Sequence, residues 1–159
     1  MTIAVTGHRD IVIDDKIREN VDTFFLKMLE KYGKITLLSA LAEGADQLVA
    51  EFALKYDNVR LEVPLPFEQE AYVQTFKSQE HFLTLRKEAS HTFVVPKECE
   101  HPYVNLGHYL VDNSDVLLAL WDGGFNGKLG GTGEVVKYAK SINQKLVIVS
   151  VKRNFIGDA

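Results

Sequence analysis

WDGGFNGKLGGTGE, residues 121–134, contains six of the eleven glycines of the chain. An apolar run, residues 116–121, leads into this stretch, and a helical pattern, residues 135–142, leads out of it. A strand that ends in a glycine-rich loop and opens a helix brings backbone N–H groups and the positive end of the helix dipole close to a phosphate. We therefore predict that the loop binds a nucleotide-like ligand. The alternative is that its glycines form only a surface turn.

Short apolar strands alternate with helical patterns along the rest of the chain. Pro64 and Pro66 are expected to end the third strand, because proline cannot donate a hydrogen bond to a ladder. Continuous apolar strands are typical of a parallel sheet that is covered on both faces. The sequence therefore predicts an α/β fold, with a mainly parallel sheet of about six strands and helices on both faces. The predicted strands are residues 2–6, 35–38, 59–63, 92–95, 116–120 and 146–151.

The composition is that of an ordinary globular protein, and a chain of 159 residues fits a single domain, residues 1–159. The formal net charge of −4 argues against nucleic acid as a partner. No apolar run approaches the ~20 residues that a membrane span requires. Cys99 is the single cysteine, which suits a reducing cytoplasm, and the chain begins with a strand pattern rather than a signal segment. We expect a cytoplasmic protein that forms a homodimer or higher homo-oligomer.

Three loops that contain glycine leave the carboxyl ends of predicted strands. They are residues 7–9, residues 43–46 and residues 121–134. In open parallel sheets the ligand binds outside these ends, at the topological switch point. We therefore expect the three loops to line one edge of the sheet and to form one site.

Several polar residues in the first two loops are candidates for ligand binding. Arg9 could bind a phosphate or carboxylate with both arms of its guanidinium, or it could pair with Asp10 or Asp46. Glu43 could accept a hydrogen bond from a ribose hydroxyl. Asp46 most simply caps the second helix. Ser39 could present its hydroxyl to the cleft or serve packing alone.

Carboxylates flank the glycine loop on both sides. Asp122 and Glu134 could together stabilise the oxocarbenium-like transition state of glycosidic-bond cleavage. Alternatively, Asp122 forms a turn, and Glu134 interacts with the helix dipole from the first turn. Thr132 could cap the helix, donate its hydroxyl to a phosphate, or do both.

The five histidines show no spacing that is typical of a metal site, so we predict neither a metal nor a cofactor. His8, inside the first loop, is the one histidine that we place near a ligand.

Four blocks of sequence, taken together, resemble the SLOG superfamily, which includes the Smf/DNA-processing and Lonely Guy families and the ligand-binding domains of TRPM channels. The blocks are VTGHR (5–9), LSALAEGADQLVA (38–50), LPFEQEAY (65–72), and YLVDNSDVLLALWDG (109–123) followed by GGTGEVVKYA (130–139).

The resemblance implies a Rossmann-like fold that binds nucleotides or nucleotide-derived molecules, including ADP-ribose-type signals. We therefore interpret the chain as a module that binds or senses a small ligand of this kind, such as an ADP-ribose-like or cyclic nucleotide. The positions that the resemblance places in contact with the ligand are Gly7, His8, Arg9, Ser39, Glu43, Gly44, Asp46, Gly130, Gly131 and Thr132, to which we add Asp122.

The alternative function is that of the Lonely Guy enzymes, which hydrolyse the N-glycosidic bond of nucleoside 5′-monophosphates. Their motif, GGxGTxxE, ends in the catalytic glutamate. When Thr132 is matched to the threonine of the motif, the catalytic position falls on Val135, and Glu134 lies one residue too early. One residue corresponds to a rotation of about 100° around a helix. Glu134 therefore remains a candidate catalytic residue, and the sequence leaves open whether the protein is an enzyme.

Overall fold

The computed structural model describes residues 1–125 and 127–154. Six strands form one sheet in the order β4-β3-β2-β1-β5-β6, and all five pairings between neighbours are parallel. The predicted α/β fold is therefore confirmed, and it is Rossmann-like. The strands are β1 Thr2–Gly7, β2 Ile35–Leu38, β3 Val59–Leu65, β4 His91–Val94, β5 Val116–Trp121 and β6 Lys145–Ser150.

Six helices connect the strands. The contacts between helices fall into two sets: α1 and α4 each contact α2, and α5 contacts α6. The chain crosses the sheet in one direction from β1 to β4 and in the opposite direction from β4 to β6. Right-handed crossovers therefore place the two sets on opposite faces of the sheet, as predicted. The helices are α1 Asp15–Tyr32, α2 Ala45–Ala53, α3 Gln69–Val73, α4 Glu80–Arg86, α5 Pro102–Asp112 and α6 Thr132–Ser141.

The topological switch point lies between β1 and β5. These two strands are neighbours at the centre of the sheet, and the chain leaves them towards opposite edges. The interior of both strands is fully buried, so the loops that follow them start from a rigid base. Helix α1 begins where the Asp14 carboxylate accepts the N–H of Ile17 at 2.9 Å, and it buries one apolar face.

The prediction that Pro64 ends the third strand is wrong, because β3 continues to Leu65. The carbonyls of Leu61 and Leu65 accept hydrogen bonds at the start and end of the β4 segment, whereas the carbonyl of Glu62 accepts one from the residue after β2. Backbone groups of successive strand residues point to opposite sides, so those of Pro64, like those of Glu62, point towards β2. Because β2 ends opposite Glu62, Pro64 has no partner strand there to which it must donate.

Helix α3 is short and ends at Val73. The Thr75 hydroxyl donates to the carbonyl of Tyr72 at 2.7 Å, and so does the N–H of Thr75 at 3.0 Å. Side chains of this type compete with the helix for its own carbonyls and favour its termination. Within the part of the chain that the structure describes, no helix is both long and apolar enough to cross a bilayer.

Candidate functional site

A cleft of about 1100 Å³ lies at the switch point, outside the carboxyl ends of the strands. Its walls are the loop after β1, the first turn of α5 and the segment from the end of β5 into α6. The predicted residues that line it are Gly7, His8, Arg9, Asp46, Asp122, Gly130, Gly131, Thr132 and Glu134. Ser39, Glu43 and Gly44 are not among the residues that line it.

The ends of β1 and β5 are joined by a hydrogen bond between His8 Nε2 and Asp122 Oδ1, at 3.2 Å. Desolvation by burial, followed by the positive charge of Arg153, lowers the pKa of His8. The hydrogen bond from the N–H of Gly124 is the main cause of the lowered pKa of Asp122. A neutral imidazole therefore faces an ionised carboxylate at neutral pH. Since the carboxylate only accepts, Nε2 carries the proton, and the 3.4 Å approach of the Asp122 N–H to the same atom is not a hydrogen bond.

Arg9 forms neither of the ion pairs that the sequence suggested. Its Nη1 donates to the carbonyl and the hydroxyl oxygen of Thr75, at 3.3 and 3.0 Å, and its Nη2 donates to the Tyr103 hydroxyl at 3.5 Å. The guanidinium carbon lies 5.1 Å from the centre of the Phe76 ring, within the range of a cation–π contact. Asp10 pairs instead with Arg153, at 2.8 Å. Arg9 thus ties the loop after β1 to the segment after α3.

The side chains of Glu43 and Ser39 form hydrogen bonds with the backbone, and neither residue lines the cleft. The Glu43 carboxylate accepts the N–H groups of Lys77 and Ser78, at 2.7 and 3.3 Å. The Ser39 hydroxyl is fully buried, where it donates to the carbonyl of Asp46 and accepts the N–H of Leu41. These hydrogen bonds favour the packing role for Ser39, and they occupy both oxygens of the Glu43 carboxylate.

Gly44 lets the loop before α2 pass directly against the loop after β1. Its φ is +84°, and a Cβ atom there would lie 2.4 Å from the carbonyl oxygen of Arg9. Gly7 is needed on the other side of the same contact, because a Cβ atom there would lie 2.3 Å from that of Ala45. The glycines of these two loops thus bring α2 close to the cleft.

Asp46 was predicted to cap α2, but it does not. The cap residue of α2 is Gly44, and no side chain accepts a hydrogen bond there. Instead, Oδ2 of Asp46 accepts the N–H of Ala42 at 3.3 Å, while Oδ1 is buried and has no hydrogen-bond partner among the described residues. The residue is only 8% exposed, and burial raises the pKa of its carboxyl to about 7.

The N–H groups of the paired glycines in the glycine loop have acceptors within the loop and the first turn of α6. The N–H of Gly130 donates to Oε1 of Glu134 at 3.1 Å, and the N–H of Gly131 approaches the carbonyl of Lys128 at 3.3 Å. Gly130 has a φ of +74°, and a Cβ atom there would lie 2.3 Å from that of Tyr103. The loop therefore packs tightly against α5, and Glu134 holds it from the first turn of α6.

The N-terminus of α6 opens into the cleft without a cap. Gly131 is the cap residue, and no side chain accepts a hydrogen bond from the helix amides there. The N–H groups of Thr132, Gly133 and Glu134 have no acceptor among the described residues, and all three residues line the cleft. Thr132 is the first residue of the helix, so the capping role suggested for it is not observed. The first turn of α6, rather than the Gly130 and Gly131 amides, is the place where an anion could bind.

Sequence reasoning missed several residues of the cleft. Arg153 follows the carboxyl end of β6, and Tyr103 lies in the first turn of α5, so both belong to the edge where the ligand was expected. His101 also lines the cleft, and its Nδ1 is buried without a hydrogen-bond partner among the described residues. His8 is therefore not the only histidine at the site. Residues 1–125 and 127–154 contain no group of three or more His, Cys, Asp or Glu side chains that could hold a metal ion.

No protein-family model matches the chain, and no curated protein matches it. Solved structures do share its fold. DNA processing protein A from Helicobacter pylori is 16% identical with a TM-score of 0.61, and the match covers 93% of this chain and 64% of that one. The protein TM1055 is 14% identical with a TM-score of 0.56, over 91% of this chain and 71% of that one. The Moco carrier protein of Chlamydomonas reinhardtii is 16% identical with a TM-score of 0.56, over 93% and 74%.

These structures confirm the class of fold that the sequence resembles. All three have SLOG-type Rossmann-like folds, and this chain has the same fold. The identities are too low to carry more than the fold from one protein to another.

Proposed function

We propose that this protein binds a nucleotide or a nucleotide-derived ligand in the cleft, with a phosphate at the N-terminus of α6. The observation that carries the proposal is the uncapped first turn of that helix, whose residues line the cleft. Backbone N–H groups and the helix dipole together favour a bound anion.

The charges around the cleft support an anionic ligand of small size. Arg9, Lys128 and Arg153 line the cleft, although the net charge of the whole chain is −4. Asp10, Asp46, Asp122 and Glu134 also line the cleft, so its charges are of both signs. Three local cations within a negative protein favour one or a few phosphates over a long polyphosphate backbone. The similar structures include a protein with a single-stranded DNA binding mode and a Moco carrier. The net negative charge of this chain favours a small ligand over DNA.

Hydrolysis of an N-glycosidic bond is the second candidate function. Glu134 and Asp122 both line the cleft, which favours it. The hydrogen bond between Glu134 and the N–H of Gly130 and the one between Asp122 and His8 oppose it, since each gives the carboxylate a structural role. Binding without turnover is therefore the function that we put first.

Isothermal titration calorimetry tests the proposal, with AMP, ADP-ribose, cyclic ADP-ribose and cyclic di- and oligonucleotides, and with a short single-stranded DNA. We expect heat from at least one small nucleotide and none from the DNA. The absence of heat from all small ligands at millimolar concentration would refute the proposal.

A pair of variants tests the position of the phosphate. A Cβ atom at Gly131 would meet only ordinary contacts, of 3.4 Å or more, so the site accepts a side chain. In Gly131→Asp the new carboxylate caps the first turn of α6 and occupies the anion site, so we expect an equal or higher melting temperature and loss of ligand binding. Gly131→Ala adds neither a cap nor a charge, and it should keep the affinity of the wild type. Equal affinities of the two variants would show that the phosphate binds elsewhere.

A further inference from the structure

Two buried side-chain atoms in the described part of the chain lack a hydrogen-bond partner, Oδ1 of Asp46 and Nδ1 of His101, and both residues line the cleft. Buried polar groups are almost always paired, so an unpaired one in the wall of a cleft indicates a partner that comes from outside the chain. Asp46 is the stronger indicator of the two, because it is 92% buried and its other oxygen is fixed by the N–H of Ala42.

Asp46 lies across the cleft from the proposed phosphate site. It belongs to the loop and helix that follow β2, whereas α6 follows β5, and β1 lies between these two strands. Two strand spacings amount to roughly 10 Å. This span is comparable with the distance from the phosphate to the far edge of the base in a nucleoside monophosphate.

The surroundings of Asp46 are aromatic and suit a flat ring. Tyr72 lines the cleft together with Asp46, and its side chain is almost fully buried. Tyr103, whose hydroxyl accepts a hydrogen bond from Arg9, and Leu106 also line the cleft, from α5. A heterocyclic base buries more apolar area against such walls than a ribose does.

We propose that Asp46 recognises the edge of a heterocycle in which a ring N–H stands beside an exocyclic amino group, as in guanine and in 2-amino-4-oxopteridines. Above about pH 7 the Asp46 carboxyl is ionised and only accepts hydrogen bonds, and both positions of this edge are donors. Adenine instead presents one donor beside an unprotonated ring nitrogen that repels the carboxylate. This assignment of the base rests on the proposed binding of a nucleotide in the cleft.

Titration of the wild-type protein with GMP, IMP and AMP at pH 8, where the Asp46 carboxyl is ionised, tests the assignment. IMP keeps the ring N–H of GMP and lacks only the amino group. We expect GMP to bind about tenfold more tightly than IMP, as is usual for one hydrogen bond to a charged group, and AMP to bind more weakly than GMP. A phosphorylated pterin and its 2-oxo analogue, a lumazine, form a second matched pair that shows which of the two heterocycles the cleft accepts.

The isosteric variant Asp46→Asn should remove the preference for GMP over IMP. Its amide oxygen can still accept the N–H of Ala42, so we expect a folded protein that binds GMP and IMP equally and binds AMP more tightly than the wild type does, because the repulsion is removed. Asp57→Asn, at an exposed position outside the cleft, is the matched control and should keep the preference.

Each other outcome has a distinct meaning. Two results would overturn the role of Asp46 and leave the proposed nucleotide binding intact. In the first, the wild type binds both members of each heterocycle pair equally. In the second, Asp46→Asn weakens the binding of all ligands by the same factor. A preference that follows the 2′-hydroxyl, measured with 2′-deoxy-GMP, and not the amino group would assign Asp46 to the ribose and also overturn it. No binding by any of these ligands would overturn the role of Asp46, and together with no heat from ADP-ribose and the cyclic nucleotides it would overturn the proposed function itself.

Discussion

His8 Nε2 lies 3.2 Å from Asp122 Oδ1, although 114 residues separate the two side chains in the sequence. The hydrogen bond joins the residues that directly follow β1 and β5, and so it spans the switch point of the sheet. Asp122 also accepts the N–H of Gly124 at 2.9 Å. One carboxylate thus fixes the start of the glycine loop to the neighbouring loop.

A double-mutant cycle should detect this connection. We expect His8→Ala and Asp122→Ala each to lower the free energy of unfolding by about 1–2 kcal/mol, the second more because it also loses the bond to Gly124. The coupling between the two should be about 1 kcal/mol. Urea denaturation of the wild type, both single variants and the double variant measures it. Strictly additive losses would show that the hydrogen bond contributes nothing.

The close contact between the glycine loop and α5 gives a second prediction. Gly130→Ala combines a φ of +74° with a Cβ atom 2.3 Å from that of Tyr103, so the loop must move. We expect a loss of about 2 kcal/mol or more. Gly127→Ala is the matched control, since its φ is +77° but nothing lies within 4 Å of the added atom. It should cost about 1 kcal/mol. Equal losses in urea denaturation would contradict the importance of the contact.

Most of the fold could be predicted from the sequence, whereas only part of the site could. Continuous apolar strands such as Val116–Trp121 require cover on both faces, and this requirement alone implies the parallel α/β sheet. The hydrogen bonds of Arg9 to Thr75 depend on how segments 66 residues apart meet in space, and no local pattern encodes that.

The two acidic residues of the second loop, Glu43 and Asp46, show more clearly why the site was only partly predictable from the sequence. The pattern of residues suggested Glu43 for the cleft and Asp46 for the helix cap, and the resemblance put both in contact with the ligand. In the structure Asp46 lines the cleft, and Glu43 holds the turn at Lys77. Glu43 precedes the cap residue Gly44 and lies outside α2, whereas Asp46 is the second residue of the helix. Which acid faces the ligand therefore depends on the residue at which the helix begins, and this is the least predictable feature of a helix.

Substitutions of Glu134 should separate a structural role from a catalytic one. Glu134→Gln keeps an oxygen that can accept the N–H of Gly130, so we expect ligand affinity within about threefold of the wild type. Glu134→Ala leaves that N–H without its acceptor and should bind several-fold more weakly. Chromatography of AMP after long incubation at high enzyme concentration should show no free adenine. Release of adenine by the wild type and not by Glu134→Gln would instead establish the hydrolase.

The buried carboxyl of Asp46 predicts how stability depends on pH. Its pKa is raised from 3.8 to about 7 in the folded protein. Between these values the folded protein holds a proton that the unfolded chain has released, so stability falls as the pH rises through this window, and the loss is complete above about pH 7. The full difference corresponds to no more than about 4 kcal/mol.

Asp46→Asn cannot ionise and should escape this loss. We expect the variant to gain stability relative to the wild type as the pH rises from 4 to 7, and to be the more stable protein at pH 8. Urea denaturation at pH 5, 6, 7 and 8 measures the difference, and all other titrating groups cancel because both proteins share them. Parallel pH profiles would mean that Asp46 ionises as readily in the folded protein as in the unfolded chain. The unpartnered oxygen would then already be solvated, and it would no longer require a ligand to satisfy it.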